Sequence, residues 1–198
     1  MGRDTLLTAT LGSQTLLKKA MLVLAGSIFI AVAAQITVPM WPVPVTLQTL
    51  AILLVGFTFG SRLALATMLA YLAQGAAGLP VFAGGLNFVA FAGPTAGFLL
   101  GFVAMAWAAG LAAERGIARG VVSTALVALA LSAMIYLPGL AWPMALAGGF
   151  GLEAGWVAQD AGYYWTWFVA PFLVGDALKA VIAALVVTGA WAALRKRA

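Results

Sequence analysis

The 198-residue chain contains no cysteine and no histidine. Without cysteine there is no disulfide framework, no thiol nucleophile and no cysteine metal site, and redox chemistry says nothing about compartment. Without histidine the Ser-His and Cys-His dyads and the HExxH zinc motif are excluded. Acidic residues number only five. Asp4 and Glu114 sit beside cationic segments, Glu153 and Asp160 share one loop, and Asp176 stands alone in an apolar run, so paired-carboxylate catalysis has no obvious partner set. No GxxxxGK[ST] occurs, which removes that route to ATP hydrolysis. Binding or conduction fits this inventory better than catalysis, and no catalytic activity is expected.

What is present is apolar surface: 65% of the residues are hydrophobic and 8% charged, which is the composition of a membrane protein. A hydrocarbon core of about 30 Å needs about 20 mostly apolar residues per helical crossing. Placing ends by Pro, Gly and charge predicts six spans at about 19–37, 47–60, 62–75, 94–113, 120–138 and 167–194. The chain thus reads as one all-α transmembrane domain over residues 1–198, without internal repeat or linker. The second and third spans are short and meet at Gly60-Ser61-Arg62, a cramped hairpin.

Cations set the orientation. Arg3, Lys18, Lys19, Arg62, Arg115, Arg119, Arg195, Lys196 and Arg197 all fall on one side of the six-span arrangement, and the opposite loops carry only Glu153 and Asp160. The positive-inside rule then places both termini in the cytoplasm. The net charge of +5 follows from this topology and lends no support to a nucleic-acid partner. Lys18-Lys19, an apolar run and "AVAAQ" also resemble a cleavable signal peptide; the even span count, with both basic ends on one side, favours retention.

Lys179 is the one cation outside this scheme, in "LVGDALKAV" at 173–181. It lies three residues after Asp176, so both side chains share a helix face. A lone charge at a helix centre costs roughly 2.5–3.5 kcal/mol on insertion scales, and pairing lowers that cost. Asp176 to Arg195 is about 28 Å of helix, which puts the pair in the outer half of the membrane. Three readings stand: a structural ion pair, a polar anchor for a ligand, and a proton relay, the last lacking a second carboxylate or a histidine. Buried pairs are weak stabilisers, and intramembrane charges usually face a cavity.

Two further stretches belong to the outer side. In "VPMWPVPVTLQTL" (38–50), three prolines in six positions forbid helix and hold the backbone extended before Thr46 and Gln48. "GAAGLPVFAGGLNFVAFAGPTAGFLLGF" (75–102) cannot be continuous helix before Pro94-Thr95, and reads as a re-entrant loop or lid, or as an ordinary interfacial loop. Their shared side favours one outward pocket. "YYWTW" at 163–167 suits interfacial anchoring, or walls of that pocket.

"VPVTLQTL" (43–50), "GLPVFAGG" (78–85), "GPTAGFLLGF" (93–102) and "GDALK" (175–179) together resemble, in order and spacing, the sequence blocks of the BioY family, biotin-binding S components of energy-coupling-factor transporters. The resemblance implies a six-helix S-component bundle in the cell membrane that captures biotin from outside. It implies partners, namely a transmembrane coupling protein and two ATPase subunits, and no cofactor, biotin being the transported substrate. It implies that Asp176 accepts a ureido N–H, that Lys179 donates to the ureido oxygen, and that Gln48, Thr46 and Asn87 complete the polar cluster. A rival assignment puts Lys179 on the valeryl carboxylate. Phe82, with Trp41 and Phe88, is expected against the apolar part of the ligand, and the Tyr164 hydroxyl at its tail. Ser27 and Ala31 form a small-xxx-small face expected to meet the coupling protein, or simply to pack. The chain departs from the family pattern at Ala96 and Phe98, where a second glycine and a tyrosine are common; Phe98 removes a hydroxyl. A passive channel or structural membrane subunit is the competing class.

Overall fold

A computed structural model describes residues 5–12 and 14–196; the cytoplasmic placements of Arg3, Asp4 and Arg197 lie outside the described residues. Among the described residues the helices are α1 (Leu6–Leu11), α2 (Leu16–Gln35), α3 (Gln48–Phe59), α4 (Ser61–Ala76), α5 (Ala96–Glu114), α6 (Val121–Met134), α7 (Tyr136–Ala141), α8 (Ala147–Gly149), α9 (Ala161–Tyr164) and α10 (Ala170–Arg195). The proline-rich stretch after α2 forms no helix. It folds back as a two-stranded antiparallel ribbon, β1 (Thr37–Val38) and β2 (Val45–Thr46), pairing Thr37 with Thr46 and Val38 with Val45.

Helical runs occupy all six stretches in which spans are expected. Four of them, Leu16–Gln35, Ala96–Glu114, Val121–Gly149 and Ala161–Arg195, are long and apolar enough to cross a membrane. Helices α3 and α4, with 12 and 16 residues, rise only about 18 and 24 Å, short of the roughly 30 Å hydrocarbon core.

The fifth and sixth stretches are longer than expected. Pro138 does not end the fifth; helix continues through a π-helical segment at Trp142–Leu146 to Gly149. The sixth starts at Ala161, where Asp160 caps the helix by accepting the Tyr163 N–H at 2.9 Å, and passes through a second π segment at Trp165–Val169 before Pro171. Proline lacks the N–H that α-helical geometry requires, and a local change of helical pitch accommodates it.

Small residues let the helices approach α5, the most buried of the long runs. A Cβ on Gly56 of α3 would fall 2.5 Å from the Ala109 Cβ, and one on Gly110 would strike the backbone of Gly60 and Ser61. One Cβ on Gly97 would meet the Pro138 carbonyl. The corner between α3 and α4 is a single residue, Gly60, at φ +82°, a left-handed conformation that favours glycine. Glu114, at the end of α5, closes that corner by accepting the Ser61 N–H at 2.7 Å and its hydroxyl at 2.8 Å. A carboxylate at a helix N-terminus is favourable.

Of the small residues on α2, Ser27 is buried and Ala31 half-buried, which agrees with the packing alternative for this face. Ser27 is fully buried, donating to the Leu24 carbonyl at 2.8 Å and accepting from Gln74 Nε2 of α4 at 2.9 Å, and Ala31 packs against the core. The outward face of α2 instead carries Leu24, Ile28, Phe29 and Val32.

Introducing a side chain at the tightest of these contacts should be costly. Gly110→Val is expected to lower the thermal midpoint of the purified protein by about 2–12 °C, from an overpacking penalty of roughly 1–3 kcal/mol. An unchanged midpoint in a scanning-fluorimetry melt contradicts this close approach of α5 to the α3–α4 corner.

Candidate functional site

Helix α10 presents Phe172, Asp176 and Lys179, spaced four and three residues apart, along one face. They form one wall of a cavity of about 300 Å³, at the lower end of the roughly 300–1,000 Å³ of small-molecule sites. The first turn of α3 contributes Gln48 and Thr49, preceded by Thr46 of β2. Pro94 and Thr95 lead into Phe98, Leu99 and Phe102 of α5, and the α6–α7 junction adds Ile135 and Tyr136. Two loop segments, Trp41–Pro44 and parts of 82–93, complete the lining. Most of this surface is apolar, so its few polar groups set orientation.

Those polar groups converge on Asp176. Its Oδ2 accepts a short hydrogen bond from the Tyr136 hydroxyl at 2.6 Å, and its Oδ1 lies 3.5 Å from the Lys179 ammonium. Charge-assisted N–H···O bonds usually run to about 2.7–2.9 Å, so the ion pair is loose and the tyrosine is the tighter partner. Asp176 and Lys179 are 4% and 6% exposed. An ammonium carries three donors, and among the described residues Lys179 uses one, at long range. The pair therefore offers both an anionic acceptor and cationic donors to anything placed beside it.

A second group links the cavity to its cover. Gln48 Nε2 donates to the Tyr71 hydroxyl at 2.9 Å, and that hydroxyl donates to the Val81 carbonyl at 3.0 Å. Val81 leads into the covering loop, whose Phe82 ring is buried edge-on against Tyr71 and Phe91 and occupies the space above Gly75. Gln35 holds the same loop from outside, donating to the Phe82 carbonyl and accepting the Gly85 N–H, both at 3.0 Å.

Among the described residues, Thr49 Oγ1 and Ser132 Oγ are buried hydroxyls without a hydrogen-bond partner, and of the two residues only Thr49 lines the cavity. Thr58, Thr67, Thr124 and Thr188 each donate to the carbonyl four residues earlier. At the second position of α3, Thr49 has no helical carbonyl behind it. Buried hydroxyls are nearly always paired, and this one belongs to a residue of the cavity wall.

Asp176, Lys179, Gln48, Thr46 and Phe82 are thus brought together, with Trp41. Asn87 and Tyr164 are not. The Asn87 side chain is committed to its own loop, accepting the Val89 N–H at 3.3 Å and reaching the Gly78 carbonyl at 3.5 Å. The Tyr164 hydroxyl is buried under the loop at 150–160, 3.0 Å from the carbonyls of Pro143 and Trp156 and accepting the Gln159 N–H at 3.1 Å. Phe88 points to the surface. Sequence reasoning missed Tyr136, Thr49 and Tyr71. Tyr136 packs edge-on against Phe98 and donates its hydroxyl to Asp176.

Comparison with known proteins places this arrangement. The BioY family model matches residues 5–196. A biotin transporter BioY from Rhodobacter capsulatus is 39% identical over 156 residues, covering 73% of this chain and 76% of the relative. One from Rhizobium etli is 36% identical over 73% of this chain and 75% of its own length. A probable biotin transporter BioY from Pyrococcus horikoshii is 36% identical over 79% and 85%. Among solved structures, the S-component for biotin from an ECF-type ABC transporter superposes with a TM-score of 0.69, at 22% identity, over 93% of this chain and 95% of that one; this likeness concerns the fold.

A ligand-facing role for Thr49 separates from a structural one by substitution. Thr49→Val is expected to leave the thermal midpoint unchanged or raised, because an unpaired buried hydroxyl costs roughly 1–3 kcal/mol. Biotin affinity, measured by calorimetry, should fall by about 2- to 10-fold, the worth of one ordinary hydrogen bond. Unchanged affinity contradicts the assignment.

Proposed function

This chain belongs to the BioY family, and from that premise we infer that it is the biotin-binding subunit of a vitamin uptake system, a multi-pass protein of the cell membrane. It captures biotin in the cavity between α3, α5, α7 and α10. One observation carries the reading: a loosely paired aspartate and lysine, both buried, at the polar end of an otherwise apolar cavity. A purely structural ion pair would be expected to close to about 2.7–2.9 Å; this one is long, at 3.5 Å.

The ureido ring matches both members of the pair. It carries N–H donors for the Asp176 carboxylate and a carbonyl oxygen for the Lys179 ammonium. A carboxylate placed against Lys179 would satisfy the lysine but sit beside Asp176, and like charges about 4 Å apart repel by about 4 kcal/mol at an effective dielectric constant of 20. The head of biotin therefore goes to the pair, and its valeryl chain lies along Phe98, Leu99 and Phe172 toward the outer loops. Gln48 and Thr46 complete the polar end, with Thr49. Phe82 covers the apolar part of the ring system.

Six crossings with both termini in the cytoplasm follow from the distribution of lysine and arginine, with α3 and α4 as short spans joined at Gly60. The Trp41–Pro44 and Phe82–Val89 segments cover the ring system of biotin and leave the end of its valeryl chain at the rim of the cavity. Release inside is then driven by a coupling module of a membrane protein and ATPases, the kind of partner that the family resemblance implies, and the sequence given carries no GxxxxGK[ST] of its own.

Purified protein is expected to bind biotin saturably and with submicromolar affinity. Asp176→Asn keeps an acceptor oxygen but loses the charge, and should weaken binding by about 10- to 150-fold, the 1.5–3 kcal/mol of a hydrogen bond to a charged group. Absence of saturable binding by the intact protein overturns the reading in favour of a channel or a structural subunit.

A further inference from the structure

The outward half of this chain contains no means of reading a carboxylate by charge. Lysine and arginine are absent from residues 20–61, 63–114 and 120–178, which include every outer loop. Lys179 is therefore the only cation among the residues that line the cavity, and it is adjacent to Asp176. The rim is built of Trp41, Pro42, Pro44, Ala83, Leu86 and Val89. The nearby outer loop adds only Glu153 and Asp160, both exposed and both of the wrong sign.

The other end of the ligand is therefore held by charge and this end is not. With the ureido head at Asp176 and Lys179, the valeryl chain runs out between apolar side chains. Trp41, Leu86 and Val89 are 67%, 46% and 55% exposed, so whatever follows the chain's last carbon meets water. Hydrated carboxylate, ester and amide are then nearly equivalent to the site, because none gains or loses an ionic partner on binding.

We propose that this subunit accepts biotin derivatised at its carboxyl group, as an ester or as an amide of an amine such as the ε-amino group of lysine, about as well as it accepts free biotin. The ligand class is any biotinyl compound with an intact ureido ring and an unbranched chain leading out of the cavity. The proposal rests on the assignment of the ureido head to the Asp176–Lys179 pair.

The test uses the full chain, purified in detergent, with radiolabelled biotin displaced by unlabelled biotin, biotin methyl ester and ε-N-biotinyl-lysine. Both derivatives are expected to compete within about fivefold of biotin itself. A weakening beyond fivefold for either derivative, with biotin still binding tightly, overturns the proposal while leaving biotin capture intact. Failure of labelled biotin to bind at all overturns the underlying functional reading instead, so the two failures are told apart by the first titration. Lys179→Met supplies an internal control: it should weaken all three ligands in parallel. Selective weakening of free biotin in this variant would show Lys179 on the carboxylate and overturn the proposal.

Discussion

A carboxylate and an ammonium held out of water, in a chain that is otherwise almost uncharged on this side, are the constraint around which the structure is arranged. Neither charge is stable alone in an apolar bundle, and at 3.5 Å they satisfy each other only in part. The third member, Tyr136, makes the arrangement tenable by giving Asp176 a short hydrogen bond at 2.6 Å. Its position depends on backbone approach. Gly97 and Gly101 of α5 leave room for Pro138 and Ile135, and Gly139 leaves room for the Phe98 ring, so α7 comes close to α5 beside α10. The glycines set the geometry, the tyrosine settles the carboxylate, and the lysine is left with donors to offer.

The cover over this site has its own hydrogen-bonded support. Gln48 lies at the cavity wall and Val81 lies in the loop above it, and the Tyr71 hydroxyl joins them. Any ligand that draws on the Gln48 amide also acts on the loop that holds Phe82. Occupancy and closure share a residue, which is a physical basis for coupling them.

Much of this was legible in the sequence. Cation placement and the length of apolar runs located helices in all six stretches, and the i, i+3 spacing of Asp176 and Lys179 singled out two residues that line one cavity. The proline-rich stretch pointed to Thr46 and Gln48 and the family resemblance added Phe82, and all three line the cavity. Tyr136 was not legible, because a tyrosine two residues before a proline reads as the end of a span; only the continued helix past Pro138 shows that it faces Asp176. Thr49 was hidden by its neighbour: nothing local distinguishes a threonine that bonds its own helix from one that lacks a carbonyl to bond. Asn87 and Tyr164 failed for the opposite reason, since a polar group near a site is as easily taken up by its own loop. Ser27 and Ala31 were correctly recognised as small, and smallness here serves packing inside the chain.

The central claim is that the ureido head of biotin is held by the charge pair, with the lysine on its oxygen. Infrared difference spectra of the protein with biotin carrying a ¹³C-labelled ureido carbonyl read that contact directly. The account predicts that the ureido stretch moves to lower frequency on binding and loses this shift in Lys179→Met, with the band of a separately labelled carboxylate unmoved. A shifted carboxylate band beside an unperturbed ureido band would contradict it.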